Sequence, residues 1–136
     1  MVRFLSRLAL LPALATLTLP ATAHHSTAMF HWGTEVGMKN ATVERWEWTN
    51  PHTFLYVQVP IAGGRSERWA FEGMSPNHLT RTGWSKRTLK PGDKITLTYY
   101  SLKDGRKGGF NVSVTLPNGQ TLRQLGSPSD SPAKDS

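Results

Sequence analysis

Three of the chain's five histidines, His24, His25 and His31, fall within eight residues, and a fourth, His52, follows in Asn50-Pro51-His52. Imidazole nitrogens suit copper, which stands at the top of the divalent affinity order. A histidine at a free chain terminus is a chelator in its own right, because its amine and Nδ1 close a ring on one metal. A second histidine from elsewhere in the fold then completes a T-shaped set of three nitrogens. His52 is the natural second arm, since Pro51 fixes the backbone beside it and a rigid corner makes a good ligand platform. The candidate metal ligands are therefore His24, His25 and His52, with copper as the expected ion. The competing expectation is that His24 and His25 merely follow a leader and that no specific metal site forms. A shared metal brings two ligating nitrogens to about 4 Å, from metal–nitrogen bonds of about 2 Å.

His24 offers an amine only if the chain is cut before it. The first residues carry that signal. Arg3 and Arg7 make a basic start, Leu8 to Leu19 is an apolar run, Pro20 breaks it, and Ala21 and Ala23 put small residues at −3 and −1 of a cut after Ala23. That order reads as a cleaved secretory signal peptide, because the run is short for a bilayer span. No Arg-Arg pair is present, which favours the general export route. The expected organisation is a signal peptide over 1–23, a single β-barrel over 24–125 and a disordered polar tail over 126–136, in the periplasm or outside the cell. Cleavage removes two arginines and takes the formal charge from +7 to +5. Such a basic surface meets anionic lipid, acidic glycan or nucleic acid, and export leaves nucleic acid the least expected. There is no cysteine, so neither a disulfide nor a thiol nucleophile is present. No transmembrane segment is expected after cleavage.

The elements that must position these residues are mostly strands. From Met38 the alternation is strand-like, with Trp46 and Trp48 on one face and Arg45 and Glu47 on the other. Pro51 then turns the chain. Phe54 to Val59 is a second strand, with Leu55, Val57 and Val59 on one face. Ala62-Gly63-Gly64 is a turn, and Arg68 to Glu72 is a third strand, with Trp69 and Phe71 pointing one way. The period then changes. Ser75-Pro76 is a helix start, a serine cap followed by proline at the first helical position, and Gly83 ends a short helix running to about Thr82. Ile95, Leu97 and Tyr99 alternate in a fourth strand. A basic glycine loop, Lys103 to Gly109, leads to Phe110, Val112, Val114 and Leu116 in a fifth. Pro117-Asn118-Gly119 turns into a short final segment, Gln120 to Leu125. Three strands, one helix and two strands is the order of a small OB-fold-like Greek-key barrel. A generic β-sandwich competes, but leaves the single helix between strands three and four unexplained.

The stretches HHSTAMF, WEWTNPHTFLYVQV, WAFEGMSPNHLTRTGW, LKPGDKITLTYY and KDGRKGG together resemble the small exported bacterial proteins catalogued as domain of unknown function 6152. The resemblance runs from His24 to about Leu122 and implies an exported single-domain β-barrel; it implies no activity. Two positions depart from the family pattern. His31 stands where an aspartate is usual, and Asn40-Ala41 stands where a glycine is usual, so His31 carries no family-wide role.

The remaining chemistry-bearing residues divide between binding and packing. Met29, Met38 and Met74 carry thioethers, which select Cu(I), but they are too dispersed for a Met-rich carrier and are expected to fill the core. His52 could act as a base, yet no serine is marked as its nucleophile. Parity places Glu72 off the Trp69/Phe71 face, so no catalytic residue is assigned. Trp46, Trp48 and Trp69 are the candidate ligand-binding aromatics, with Arg65, Arg68, Arg106 and Lys107 near the loops, because OB-folds bind oligomers on a strand face with aromatic and basic residues. The competing expectation is that these tryptophans are barrel core. His78 is placed on the exposed face of the helix. The expectation is thus an exported binding or accessory protein for an unidentified small ligand or protein partner. Copper is its candidate cofactor, and a metal-free barrel binding a peptide, glycan or partner is the second reading.

Overall fold

A computed structural model describes residues 27–126. The strands are β1 (Phe30–Glu47), β2 (Phe54–Ile61), β3 (Arg65–Glu72), β4 (Lys94–Leu102), β5 (Gly108–Thr115) and β6 (Thr121–Arg123). A 3-10 turn over Thr27–Met29 precedes β1, and one helix, α1 (Pro76–Thr80), lies between β3 and β4. The sheet order is β3-β2-β1-β4-β5-β6, and β3 also pairs with β5. That extra pairing closes five strands into a barrel of OB topology, with α1 inserted where the sequence puts it.

Each connection follows from local chemistry. The β2–β3 turn has Gly63 and Gly64 at φ +80° and +70°, which glycine alone adopts without cost. Ser75 caps α1 by accepting the His78 N–H at 3.3 Å, with proline at the start of the helix. Asp93 accepts the Lys90 N–H at 2.9 Å across the turn into β4. Asn118 does the same for Gln120 at 2.9 Å in the turn after β5. The helix is shorter than the spacing suggests, ending at Thr80. Beyond it, Thr82 and Trp84 still send backbone N–H groups back to the Leu79 carbonyl, at 3.0 and 3.1 Å.

β1 serves both halves of the barrel, and it begins earlier than the Met38 alternation indicates. Its first part pairs with β4 and its last part with β2. Register shifts between Met38 and Ala41, and Asn40 sits there at φ +59°. Asparagine is one of the few residues that tolerates this conformation, so the position does not require glycine.

Two apolar clusters form. The main one fills the barrel with Leu55, Val57, Phe71, Leu97 and Val114, and Trp84 and Leu79 cover one end. A second joins Phe30, Tyr100, Phe110 and Val112. An irregularity between Thr98 and Tyr99 separates them. The extra residue, Val112, is on β5, so Val114 joins the main cluster and Val112 the second, as bulges do when they break side-chain alternation, while Tyr99 and Tyr100 fall to opposite faces in the ordinary way. Burial pushes the Tyr99 hydroxyl pKa upward.

The barrel closes where β3 meets β5 in parallel, with Ala70 opposite Gly108 and Phe71 opposite Gly109. A Cβ on Gly108 would stand 2.1 Å from the Ala70 carbonyl oxygen, and one on Gly109 would stand 2.1 Å from that of Tyr100. Neither oxygen can retreat without losing its strand. Gly109→Ala is therefore expected to lower stability by about 1–3 kcal/mol in urea titration, whereas Gly37→Ala, whose added methyl meets nothing within 4 Å, stays within about 0.5 kcal/mol of the parent.

Candidate ligand-binding face

β2 and β3 turn alternate side chains away from the core. Leu55, Val57 and Phe71 point in, so Phe54, Tyr56 and Gln58 on β2 and Arg68, Ala70 and Glu72 on β3 point out. Register sets Phe54 beside Glu72, Tyr56 beside Ala70 and Gln58 beside Arg68. A bulge between Val43 and Arg45 adds both Glu44 and Arg45 to this outer face. Arg45 lies over the Tyr56 ring at 4.3 Å and Arg68 at 5.5 Å. Glu44 accepts from Arg68 Nε at 3.0 Å and from Gln58 at 2.7 Å. Phe54 and Tyr56 lie with ring centroids 6.5 Å apart and 28° between their planes.

At one end this face opens into a cavity of about 230 Å³. Met29, Phe30, Phe54 and Leu102 form its apolar wall, and Ala70 and Gly109 border it at the β3–β5 seam. Glu72, Arg106 and Lys107 supply its charges. Arg106 and Lys107 stand on the loop between β4 and β5, with side chains 64% and 55% exposed, whereas Glu72 is only 15% exposed. Lys107 pairs with Glu67, and Arg106 Nε donates to Asp104 at 2.7 Å. Each carboxylate has a second donor. Trp69 Nε1 reaches Glu67 at 3.0 Å, and the Arg106 backbone N–H reaches Asp104 at 3.1 Å. The Lys107 and Trp69 hydrogen bonds hold the Glu67 pKa below its ordinary value, and the Arg106 backbone and side-chain N–H groups do the same for Asp104.

The Asn50–Thr53 corner borders the same face. The Asn50-Pro51 bond is cis. Thr53 is fully buried and ties the corner to the end of β3: its N–H and its hydroxyl both donate to the Met74 carbonyl, at 3.2 and 2.9 Å, and its own carbonyl accepts the Gly73 N–H at 2.8 Å. His52 Nδ1 donates to the Gly73 carbonyl at 3.0 Å and lies 3.2 Å from Glu72 Oε1. Both neighbours are acceptors, so Nδ1 carries the proton and, in the neutral ring, Nε2 carries the lone pair. Parity does put Glu72 off the Trp69/Phe71 face. The corner, however, brings His52 to that outer side as well, so the two meet.

Of the proposed metal ligands, His52 lies at this rim, while His24 and His25 lie outside the described residues. Among the described residues no group of three or more His, Cys, Asp or Glu side chains is placed to hold a metal ion. The three tryptophans are half-buried and packed on the main core. Trp46 lies 5.7 Å from Trp48 and 5.8 Å from Trp84, and donates to the Ser85 carbonyl at 3.1 Å; Trp69 packs instead on Phe71 and Tyr99, at 6.2 and 6.0 Å. By register Trp46 and Trp69 point inward, level with Leu55 and Val57. His78 is not on an exposed face: its Nε2 meets the Gln124 carbonyl at 3.0 Å and ties α1 to the end of the barrel. Phe54 and Tyr56 are the aromatic residues that sequence reasoning missed. Their signal is parity, since they alternate with the inward Leu55 and Val57.

Fold and face together define a small closed β-barrel of OB type, with one aromatic, ion-paired side beside a cavity. The chain belongs to the family of unknown function DUF6152, whose family model matches residues 13–111, from within the apolar run to the middle of β5. Comparison with curated proteins and with solved structures returns no match.

Lys107 is the largest cause of the lowered Glu67 pKa. Lys107→Gln is expected to move Glu67 upward toward the ordinary carboxylate value, and Trp69→Phe to move it by less, as read by carboxyl NMR titration. The sign follows from the depressed pKa: the pair stabilises the loop above the ordinary carboxylate value and is lost as pH falls through the lowered one.

Proposed function

We propose that this chain is an exported binding module that holds its ligand on the outer β2–β3 face, between the Asn50–Thr53 corner and the loop at 103–107. One observation carries the reading. Phe54 and Tyr56 point outward beside a cavity of about 230 Å³, on the side and between the loops where OB barrels take their ligands. Export, read from the basic-apolar-small leader, makes nucleic acid a poor fit despite the basic loop. Among the described residues no set marks a reaction, so the reading is binding rather than catalysis. A small-molecule fragment screen followed by amide NMR tests it. Perturbations are expected to cluster at Tyr56, Ala70 and Gly109, and Phe54→Ala is expected to weaken the hits about tenfold while leaving the melting temperature within a few degrees. Hits that map to the Trp46 and Trp48 end would overturn it.

A second reading, copper held by a freed His24 amine and His52, is favoured by the His52 geometry. Metal-ligating histidines donate their other ring N–H to a carbonyl or carboxylate, which fixes the tautomer, and His52 Nδ1 has both neighbours. Met29, in the wall that also holds Glu72, is five residues beyond His24, so the arm reaches at most about 17 Å from it. Export is expected to yield a chain starting at His24, read by N-terminal sequencing. In that chain Cu(II) titration is expected to show a site that His52→Ala weakens at least tenfold. A different terminus, or affinity no tighter than that of a free peptide, sinks this reading; unchanged affinity in His52→Ala removes His52 and leaves the arm alone.

A further inference from the structure

The cavity's charges are arranged asymmetrically. Its wall is Met29, Phe30, Phe54 and Leu102, and its cations, Arg106 and Lys107, stand on an exposed loop. Glu72 is the least exposed of these charges, and it faces His52. An anionic group cannot settle beside Glu72, because two carboxylates in a poorly solvated place repel. It can settle at the loop. There Glu67 keeps the Trp69 N–H and Asp104 keeps the Arg106 backbone N–H, so both stay hydrogen-bonded when Lys107 and Arg106 share their charge with a newcomer. An apolar group goes the other way. A cavity of about 150 Å³ takes a benzene ring, so about 230 Å³ takes a phenyl-methyl group or a medium-length alkyl chain.

Resting on the face assignment above, we propose that the ligand is a small amphipathic carboxylate, with its apolar body against Phe30, Phe54 and Leu102 and its carboxylate between Arg106 and Lys107. Two sources present this chemistry, a medium-chain fatty acid and a hydrophobic amino acid acylated at its amine. Neither requires the protein to change covalently.

The test uses the purified chain and four defined compounds, measured by calorimetry and amide NMR. Octanoate is compared with octanol, and N-acetyl-phenylalanine with its amide. At least one carboxylate is expected to bind about tenfold or more tightly than its uncharged partner, because hydrogen bonds to charged groups are the stronger ones. The pair that shows the difference identifies the source. The double variant Arg106→Gln/Lys107→Gln is expected to remove that advantage without altering binding of the uncharged compound. Ala70→Leu, which fills the border of the cavity, is expected to weaken all four. Equal binding of charged and uncharged partners, lost in Ala70→Leu, overturns the carboxylate assignment and leaves the face standing. So does the failure of all four where other fragments still perturb Tyr56 and Ala70. Carboxylate binding that survives in both variants overturns the assignment and the face together.

Discussion

The barrel depends on how closely β5 can approach β3. Parallel pairing of Ala70–Glu72 with Gly108–Phe110 is the one contact that turns an open sheet into a closed wall. It forms because Gly108 has no side chain to hold the Ala70 carbonyl away, while Gly109 beside it lets β5 lie equally close to Tyr100 of β4. With any Cβ at Gly108 or Gly109, a backbone oxygen would stand at a distance no real contact tolerates. Much follows from this. Closure buries Phe71 completely, and it sets the outer edge of β3 against the start of β5. The cavity lies at this seam, bordered by Ala70 and Gly109. The space is shaped by the absence of side chains as much as by the aromatic residues around it.

A second constraint fixes what faces the cavity. The corner before β2 is held to the end of β3 by the backbone of Thr53 and Gly73, the Thr53 hydroxyl and the His52 ring. Gln124 reinforces this junction by accepting the Met74 N–H at 2.7 Å. Gly73 is again a position with no room for a methyl, since a Cβ there would meet Gln124 Oε1 at 2.4 Å and Thr53 Oγ1 at 2.6 Å. Glu72, one residue before this junction, is thus held beside His52. Hydrogen bonds between buried polar groups rigidify a structure, and here they fix the orientation of one imidazole and one carboxylate at the edge of the cavity.

Much of this architecture was legible in local chemistry. The turns at Gly63-Gly64 and Asn118-Gly119 and the Ser75-Pro76 helix start each rest on a residue whose backbone or side chain dictates one geometry. The order of strands and helix then limits the topology to very few choices. What was not legible needs the third dimension. The meeting of His52 with Glu72 depends on the path of a corner, and a period-two pattern carries no information about corners. The Val43/Arg45 bulge places Glu44 and Arg45 on the same side, which strict alternation forbids. The tryptophans were the hardest to read, because large aromatic residues serve cores and binding faces alike. Only register distinguishes inward Trp46 and Trp69 from outward Phe54 and Tyr56.

The charge pattern of the outer face carries a further lesson about basic loops. A formal excess of positive charge suggests free cations waiting for an anion, yet on this face Arg68, Arg106 and Lys107 each have a carboxylate partner within the chain. Exposed pairs of this kind contribute little stability individually. Their effect is on placement: they keep long, flexible side chains at the rim, where an unpaired lysine would sample many rotamers and lose that entropy on binding. Because Glu67 and Asp104 each hold a second donor, the pairing can be shared without leaving either carboxylate unsatisfied. On the reading proposed above, cations already positioned and compensated spare an incoming carboxylate that entropy, and the contact at the loop adds to the apolar contacts at the wall.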